Sequence, residues 1–345
     1  MLACFLPNSD GAVRHFPLGF QPWALALRVD FVLILNPRFS MTFETSAPII
    51  HAAFGLRFRS RMGWLPLRIS EKATDPADVE VTFGETTANV PELPASIRFE
   101  AGPGKLLFRT RTIADYQVDN GDRIHILPKA GADELRLANL LFGAVTGGLL
   151  IQRGTLALHG CSVETPAGAV IICGDSGAGK STLSALLLER GLRILDDNIA
   201  ALVWQGEDIL VQPGLGYLRL TAESLALLGK PIEGSGFPAP YQMKYLHFLD
   251  QESFCPEARP LRRIVVLDRQ QESLEHPIFR GADKLDVVRR FTFVRHMIQP
   301  LGQLESQFQR SIALTNRVPV SRLGQPASLD ADTWAERVAE WLRQC

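Results

Sequence analysis

No two of the five cysteines in this 345-residue sequence (Cys4, Cys161, Cys173, Cys255 and Cys345) stand in C-x-x-C spacing, and their number is odd. A disulfide framework and a zinc site are therefore not expected; reduced thiols in a cytoplasmic protein are. Neither sign of charge is in excess, with 36 Lys and Arg against 37 Asp and Glu. Without a local basic patch, nothing draws the chain to nucleic acid or to an anionic membrane. Long apolar runs are missing too: the stretch 23–35 is broken by Arg28 and Asp30, too short and too charged for a span of about 20 residues. Residues 1–10 carry no basic side chain, so a secretory signal is not expected. Internal repeats and low-complexity tracts do not occur.

What is present is 46% hydrophobic and 21% charged, enough to build a core and, by length, roughly two domains. Residues 1–40 show neither helical nor alternating periodicity. They read as a flexible extension, or as the product of a start placed upstream of Met41. From 41 to 130, short apolar runs at 80–83, 97–100, 105–110, 116–118 and 123–127 alternate with turn signals and predict a β-rich domain. Asn120-Gly121 joins the last two runs and is a type I′ hairpin signal, because both central positions need positive φ. Asp133 is placed to cap a helix that Gly147 and Gly148 close, bridging the halves over 131–150.

The segment 151–330 reads as an α/β domain. An apolar run at 156–159 and a turn precede a strand at 169–173, a glycine loop, a helix from Lys180 stopped by Gly191, and a strand at 192–195. Further strands are expected at 200–204, 209–211 and 264–267. Helices are expected near 281–297, 300–314 and 331–343, the last docking on the domain.

Gly174, Asp175, Ser176, Gly177, Ala178, Gly179, Lys180 and Ser181 satisfy G-x-x-x-x-G-K-[ST] between a buried-type strand and an amphipathic helix. In that setting glycines let backbone amides turn onto a phosphate, Lys180 brings a positive charge, and the helix N-terminus adds its dipole. Ser181 offers a hydroxyl to magnesium and Thr182 continues the nucleotide-binding turn. The bland reading is a chance glycine turn. Because P-loops serve many enzymes, other residues must choose among them. Neither an L-S-G-G-Q-like segment nor N-K-x-D follows, so a transporter ATPase and a switch GTPase are not expected.

After Arg190-Gly191, Asp196 and Asp197 fall at the end of a strand, where α/β sheets bind ligands. Phosphoryl transfer needs one carboxylate to hold magnesium and one to accept a hydroxyl proton; the alternative is a solvated Asp-Asp-Asn turn. His159 ends its apolar run fifteen residues before Gly174, so a neighbouring strand can bring it to the phosphates, unless it is simply structural.

Taken together, His159-Gly160, the glycine loop, Arg190-Gly191 and Asp196-Asp197-Asn198 resemble the catalytic domain of HPr kinase/phosphorylase, at matching spacings. The resemblance implies an α/β fold of the HPr kinase and phosphoenolpyruvate carboxykinase type, with a smaller β-rich N-terminal domain. It also implies ATP and Mg2+ as cofactors and a protein or peptide serine as acceptor, and it leaves room for a homo-oligomer. The chain is more closely similar to HPr-kinase-like enzymes found with lasso-peptide biosynthesis, which phosphorylate a precursor peptide. That similarity runs through Ala52-Ala53-Phe54-Gly55-Leu56, Ile151-Gln152-Arg153-Gly154, Pro213-Gly214, Leu218-Arg219-Leu220, Lys244 and Val318-Pro319-Val320-Ser321-Arg322-Leu323, covering roughly residues 48 to 330.

Carried over by position, Lys180 and Ser181 become phosphate and magnesium ligands and His159 the active-site histidine. Counted from Lys180, the first acid of the family's pair falls on Asp197 and the second on Asn198, with Asp196 in place of a small residue. Asp197 is therefore the principal catalytic candidate and, with Ser181 and Asn198, a metal ligand; a one-residue slip restores Asp196-Asp197 as the pair. Asn198 can offer an oxygen to a cation but cannot accept a proton. Residues 200–260 lack the family's phosphorylase signature, which implies kinase activity without the reverse reaction. Arg219 and Lys244 are each read either as substrate or phosphate contacts or as surface salt-bridge partners. A small-molecule kinase and a non-catalytic ATP-binding regulator stay open as alternatives.

Overall fold

A computed structural model of the chain describes residues 48–61, 68–69, 76–85, 97–232, 237–239, 242–268, 278–326 and 328–345. The expected extension at 1–40, including Cys4 and the stretch 23–35, lies outside the described residues. In the N-terminal part, alternate side chains of Lys105–Thr110, Ala114–Asp119 and Arg123–Pro128 point inward: Leu106, Phe108, Tyr116, Val118, Ile124 and Ile126 are buried. This period of two makes a half-buried sheet. Its eight strands run in the order Arg68–Ile69, Ile49–Ala53, Leu56–Ser60, Val79–Phe83, Arg123–Pro128, Ala114–Asp119, Lys105–Thr110 and Ile97–Gly102. Asn120 (φ 50°) and Gly121 (φ 70°) both take positive φ, and Asp122 N–H donates to the Asp119 carbonyl at 3.1 Å, as a type I′ turn requires.

The covering helix begins where Asp133 accepts from Arg136 N–H at 2.8 Å. It does not end at Gly147 and Gly148. It passes from Glu134–Leu140 through a π-turn at Leu141–Val145 and continues as Thr146–Gln152, stopping before Gly154 at φ 71°. The reason is packing: a Cβ at Gly147 would lie 2.6 Å from the Phe293 ring, and one at Gly148 would strike Leu106. Glu134–Gln152 is long and apolar enough to cross a bilayer, but here Leu137, Leu141, Phe142, Val145 and Leu149 join the sheet's core, and the Tyr116 hydroxyl donates to the Leu137 carbonyl at 2.9 Å.

A seven-stranded sheet forms the second core. Gly168–Cys173, Arg259–Asp268, Asp208–Val211, Ile199–Gln205, Leu156–Thr165 and Ile194–Asp196 follow one another, with Val320–Gly324 on the outer side of Arg259–Asp268. The turn expected after His159 is absent. Leu156–Thr165 runs unbroken and reverses at Pro166-Ala167. Gly160 serves close strand approach instead, since a Cβ there would sit 2.8 Å from the Ile172 carbonyl.

On one face, Lys180–Leu188 and the C-terminal helix Ala331–Arg343 share a core of Leu183, Leu187, Trp334, Val338 and Leu342. On the other, Ala282–Phe291 and Leu304–Arg317 pack Val288, Phe291 and Leu314 against Leu158, Ile171 and Ile264. The result is a layered α/β arrangement. The single helix expected near 281–297 breaks at Thr292, which bridges to Leu158, and resumes as a 3-10 turn at Arg295–Met297. A three-stranded sheet of Tyr217–Leu220, Gln242–Phe248 and Phe237–Ala239 and the short helix Ala222–Leu227 complete the described elements.

Candidate active site

The glycine loop leaves the C-terminal end of Gly168–Cys173, a strand buried at every position, and enters Lys180–Leu188. Gly177 (φ 80°) and Gly179 (φ 96°) hold left-handed conformations that a side chain would strain. The helix carries no acid in its first turn, so its positive end is left for an anion. Lys180 is buried and folds back, its Nζ donating to the carbonyls of Gly174 (2.7 Å) and Asp175 (3.2 Å). Burial pulls its pKa down, while Cys173 and Asp197 act in the opposite sense. Asp175 points outward and pairs with Arg290 at 2.6 Å, an exposed bridge worth about 0–1 kcal/mol. Thr182 bonds Ser224 through their hydroxyls at 2.7 Å, tying the loop helix to Ala222–Leu227.

The acidic turn arises because Ile194–Asp196 and Ile199–Gln205 are two strands along the same edge of Leu156–Thr165. Asp196 pairs with Ser162 and Ile199 with His159, and Asp197-Asn198 bulges between them. The two acids then part company. Asp196 Oδ1 accepts from Asn198 and Ile199 N–H at 2.7 and 2.6 Å, and its Oδ2 accepts from Leu215 N–H at 2.8 Å. Asp197 lies on the cavity with Lys180 and Ser181. Its Oδ2 accepts from Arg219 N–H at 2.9 Å, while its Oδ1 is buried with no hydrogen-bond partner among the described residues. Burial raises the pKa of both acids, that of Asp196 to about 6.

His159 Nδ1 lies 3.2 Å from the Asn198 carbonyl. A carbonyl only accepts, so Nδ1 carries the proton and Nε2 the lone pair. Burial, followed by the charge of Lys180, depresses its pKa to about 4, and the ring is neutral at pH 7. Phe293 packs on it with ring centroids 5.9 Å apart.

Arg219 and Lys244 both line the same cavity, of about 400 Å3. Neither is a surface salt-bridge residue. Arg219 is 9% exposed, its guanidinium donates to the Tyr217 hydroxyl at 3.2 Å, and its Nε is buried without a partner. Neither forms an ion pair with a described carboxylate. Lys244 is half-buried, and burial lowers its pKa. Three cations, Lys180, Arg219 and Lys244, thus face two acids, the buried Asp197 and the exposed Glu223, an excess that a multiply charged anion would neutralise. The wall formed by Thr221, Glu223, Ser224 and Leu227 was not anticipated from the sequence, although Thr221 is a legible helix cap that accepts from Ser224 N–H at 3.2 Å. No local signal marks Phe293.

Fold and site together define a mixed α/β protein with a β-rich N-terminal sheet and a glycine loop opening onto a cationic cavity. No protein-family model matches the chain. It is similar to the HPr kinase/phosphorylases of two strains of Treponema pallidum, at 38% identity over 61 residues, 18% of this chain and 19% of each relative. The chain thus spans under a fifth of the length of the curated relatives it matches. Among solved structures it matches the Hpr(Ser) kinase/phosphatase from Coxiella burnetii over 55% of this chain and 94% of that one, at 12% identity and a TM-score of 0.31. The resemblance to the HPr kinase/phosphorylase family is found again here; lasso-peptide biosynthesis is not.

Proposed function

We propose that the chain is an ATP-dependent phosphotransferase of HPr kinase type that carries the γ-phosphate to a serine-type hydroxyl of a protein or precursor peptide. The observation that carries this reading is the convergence on one cavity of the Lys180 glycine loop, the buried carboxylate of Asp197 and the cations Arg219 and Lys244. In this scheme Lys180 exchanges the carbonyls of Gly174 and Asp175 for phosphate oxygens, and the loop amides complete the cradle. Arg219 and Lys244 face the transferred phosphoryl group, where preorganised charge contributes most.

Asp197 accepts the proton of the attacking hydroxyl. Burial raises its pKa, whereas a bound Mg2+ would act in the opposite sense. His159, neutral and anchored through Nδ1 to the Asn198 carbonyl, orients the turn that carries Asp197; it does not supply a positive charge to the phosphate. Ser181, Asp197 and the Asn198 side chain are the residues that would hold Mg2+. The Asp197 Oδ1, buried without a close partner on a carboxylate that the Ser181 hydroxyl also acts on, fits an oxygen kept for a ligand. Among the described residues no group of three or more His, Cys, Asp or Glu could hold a metal ion, which suits an ion taking most of its oxygens from phosphates and water. When bound, Mg2+ would neutralise charge on the β- and γ-phosphates.

The free thiols of Cys161, Cys173, Cys255 and Cys345 support a cytoplasmic setting, and the missing phosphorylase segment supports a kinase without the reverse reaction. The test is incubation with MgATP and serine-containing peptides, read by phosphopeptide mass and ADP release, beside Lys180→Ala and Asp197→Asn. Wild-type-like phosphorylation in both variants would sink the assignment. Asn198, in the place of the family's second acid, favours one other reading, a nucleotide-binding regulator; it predicts ATP binding with no turnover on any acceptor.

A further inference from the structure

Asp196 is 2% exposed and forms no ion pair with a described residue. Its carboxylate instead accepts three main-chain N–H groups, from Asn198, Ile199 and Leu215. Two belong to the turn that carries Asp197 and presents the carbonyl holding His159. The third opens the segment that leads to Arg219. One side chain therefore fastens both approaches to the cavity, and it does so as an anion: two oxygens serve three donors, which an amide side chain, with one oxygen and an NH2 group, cannot do.

The carboxylate is braced from behind by the N-terminal sheet. Gly214 lies against it, so close that a Cβ would collide with the Asp196 carboxylate and with the Phe54 ring. Phe54 sits at the tip of the hairpin in which Ala53 pairs with Leu56. Its φ of 56° is an unfavourable conformation for a bulky residue. It is held there by burial (1% exposed) and by its N–H donating to the Pro213 carbonyl at 2.7 Å.

We propose that Asp196 is a positioning residue, which sets Asp197, His159 and Arg219 for phosphoryl transfer, and that the hairpin tip at Phe54 clamps it through Gly214. The proposal rests on the phosphotransferase reading for its effect on turnover, but not for its effect on the main chain. Asp196→Asn keeps the volume and removes the charge; Phe54→Leu, remote from the cavity, loosens the clamp more gently.

The experiment compares wild type with both variants by amide hydrogen exchange, by affinity for a fluorescent ATP analogue, and by kcat. In Asp196→Asn, exchange at Asn198, Ile199 and Leu215 should quicken about tenfold or more while Gly168–Cys173 keeps its protection. Nucleotide affinity, set by the Lys180 loop, should hold within about threefold while kcat falls about 100-fold. Phe54→Leu should show the same pattern at smaller amplitude. Unchanged exchange at the three amides in either folded variant overturns the proposal, as does an equal loss of affinity and kcat with general loss of protection, the mark of a merely structural acid. If Asp196→Asn does not fold, Phe54→Leu decides by the same three amides. If wild type transfers no phosphate, the phosphotransferase reading falls, and exchange and affinity still decide the brace.

Discussion

Asp197 Oδ2 accepts the main-chain N–H of Arg219 at 2.9 Å, so the buried acid of the cavity and one of its buried cations are joined through backbone rather than as an ion pair. The Arg219 guanidinium is thereby left to other partners: one nitrogen reaches the Tyr217 hydroxyl and Nε reaches none. A shift of the Asp197-Asn198 turn or of the strand Tyr217–Leu220 moves both residues together.

Lys180→Ala should weaken nucleotide binding at least about tenfold, roughly 1.4 kcal/mol, through loss of charge-assisted bonds to phosphate. Stability without nucleotide should change little, because removing a buried cation also removes the cost of keeping it from water. Titration calorimetry and thermal unfolding check the two halves.

Asp197→Asn should lower kcat by about 10²–10⁴ while ATP binding stays within a few-fold, since the amide keeps an oxygen but cannot take a proton. Single-turnover kinetics are the measurement. Undiminished turnover would place proton acceptance elsewhere.

His159 makes a signed prediction about pH. With its folded pKa near 4, below the ordinary 6.5, the unfolded chain binds the proton first as pH falls. Its contribution to stability is complete above 6.5 and is lost toward 4, at most roughly 3 kcal/mol by linkage. Asp196, raised from 3.8 to about 6, acts oppositely, since its charged form is disfavoured in the fold as pH rises through that range. Urea unfolding of wild type and His159→Gln at pH 7 and about pH 5 isolates the imidazole: wild type should lose more stability on acidification than the variant.

Gly147→Ala tests packing against propensity. Alanine in a helix interior gains about 1 kcal/mol over glycine, but the new methyl would meet the Phe293 ring at 2.6 Å, and overpacking of this kind costs about 1–3 kcal/mol. Net destabilisation is expected in chemical denaturation. Because Phe293 packs on His159, kcat should fall as well.

Trp334→Ala should destabilise by about 3–5 kcal/mol. The side chain is 2% exposed, and its Nε1–H donates to the Gly324 carbonyl at 2.8 Å, so the change empties the seam that docks the C-terminal helix. Denaturant midpoints report it.

Features governed by neighbours in sequence were legible beforehand. The Asn120-Gly121 turn needs positive φ at adjacent residues, Asp133 caps a helix three residues on, and the strands at 105–110 and 123–127 follow a period of two. Gly147, Gly148 and Gly160 misled for the opposite reason. Each is glycine because a distant group, Phe293, Leu106 or the Ile172 carbonyl, comes too near for a Cβ, and nothing in the flanking residues records that approach.

For the site, the sequence by itself determined the glycine loop, its lysine, and the presence of acids after the following strand, because these follow from local backbone demands and chemistry. Only the tertiary structure decided which acid does what. Adjacent residues leave a strand on opposite sides, so Asp196 turns to the amides beneath Gly214 and Asp197 to the cavity. That choice depends on pairing with Leu156–Thr165, residues about thirty-five positions away in a register that no local pattern specifies.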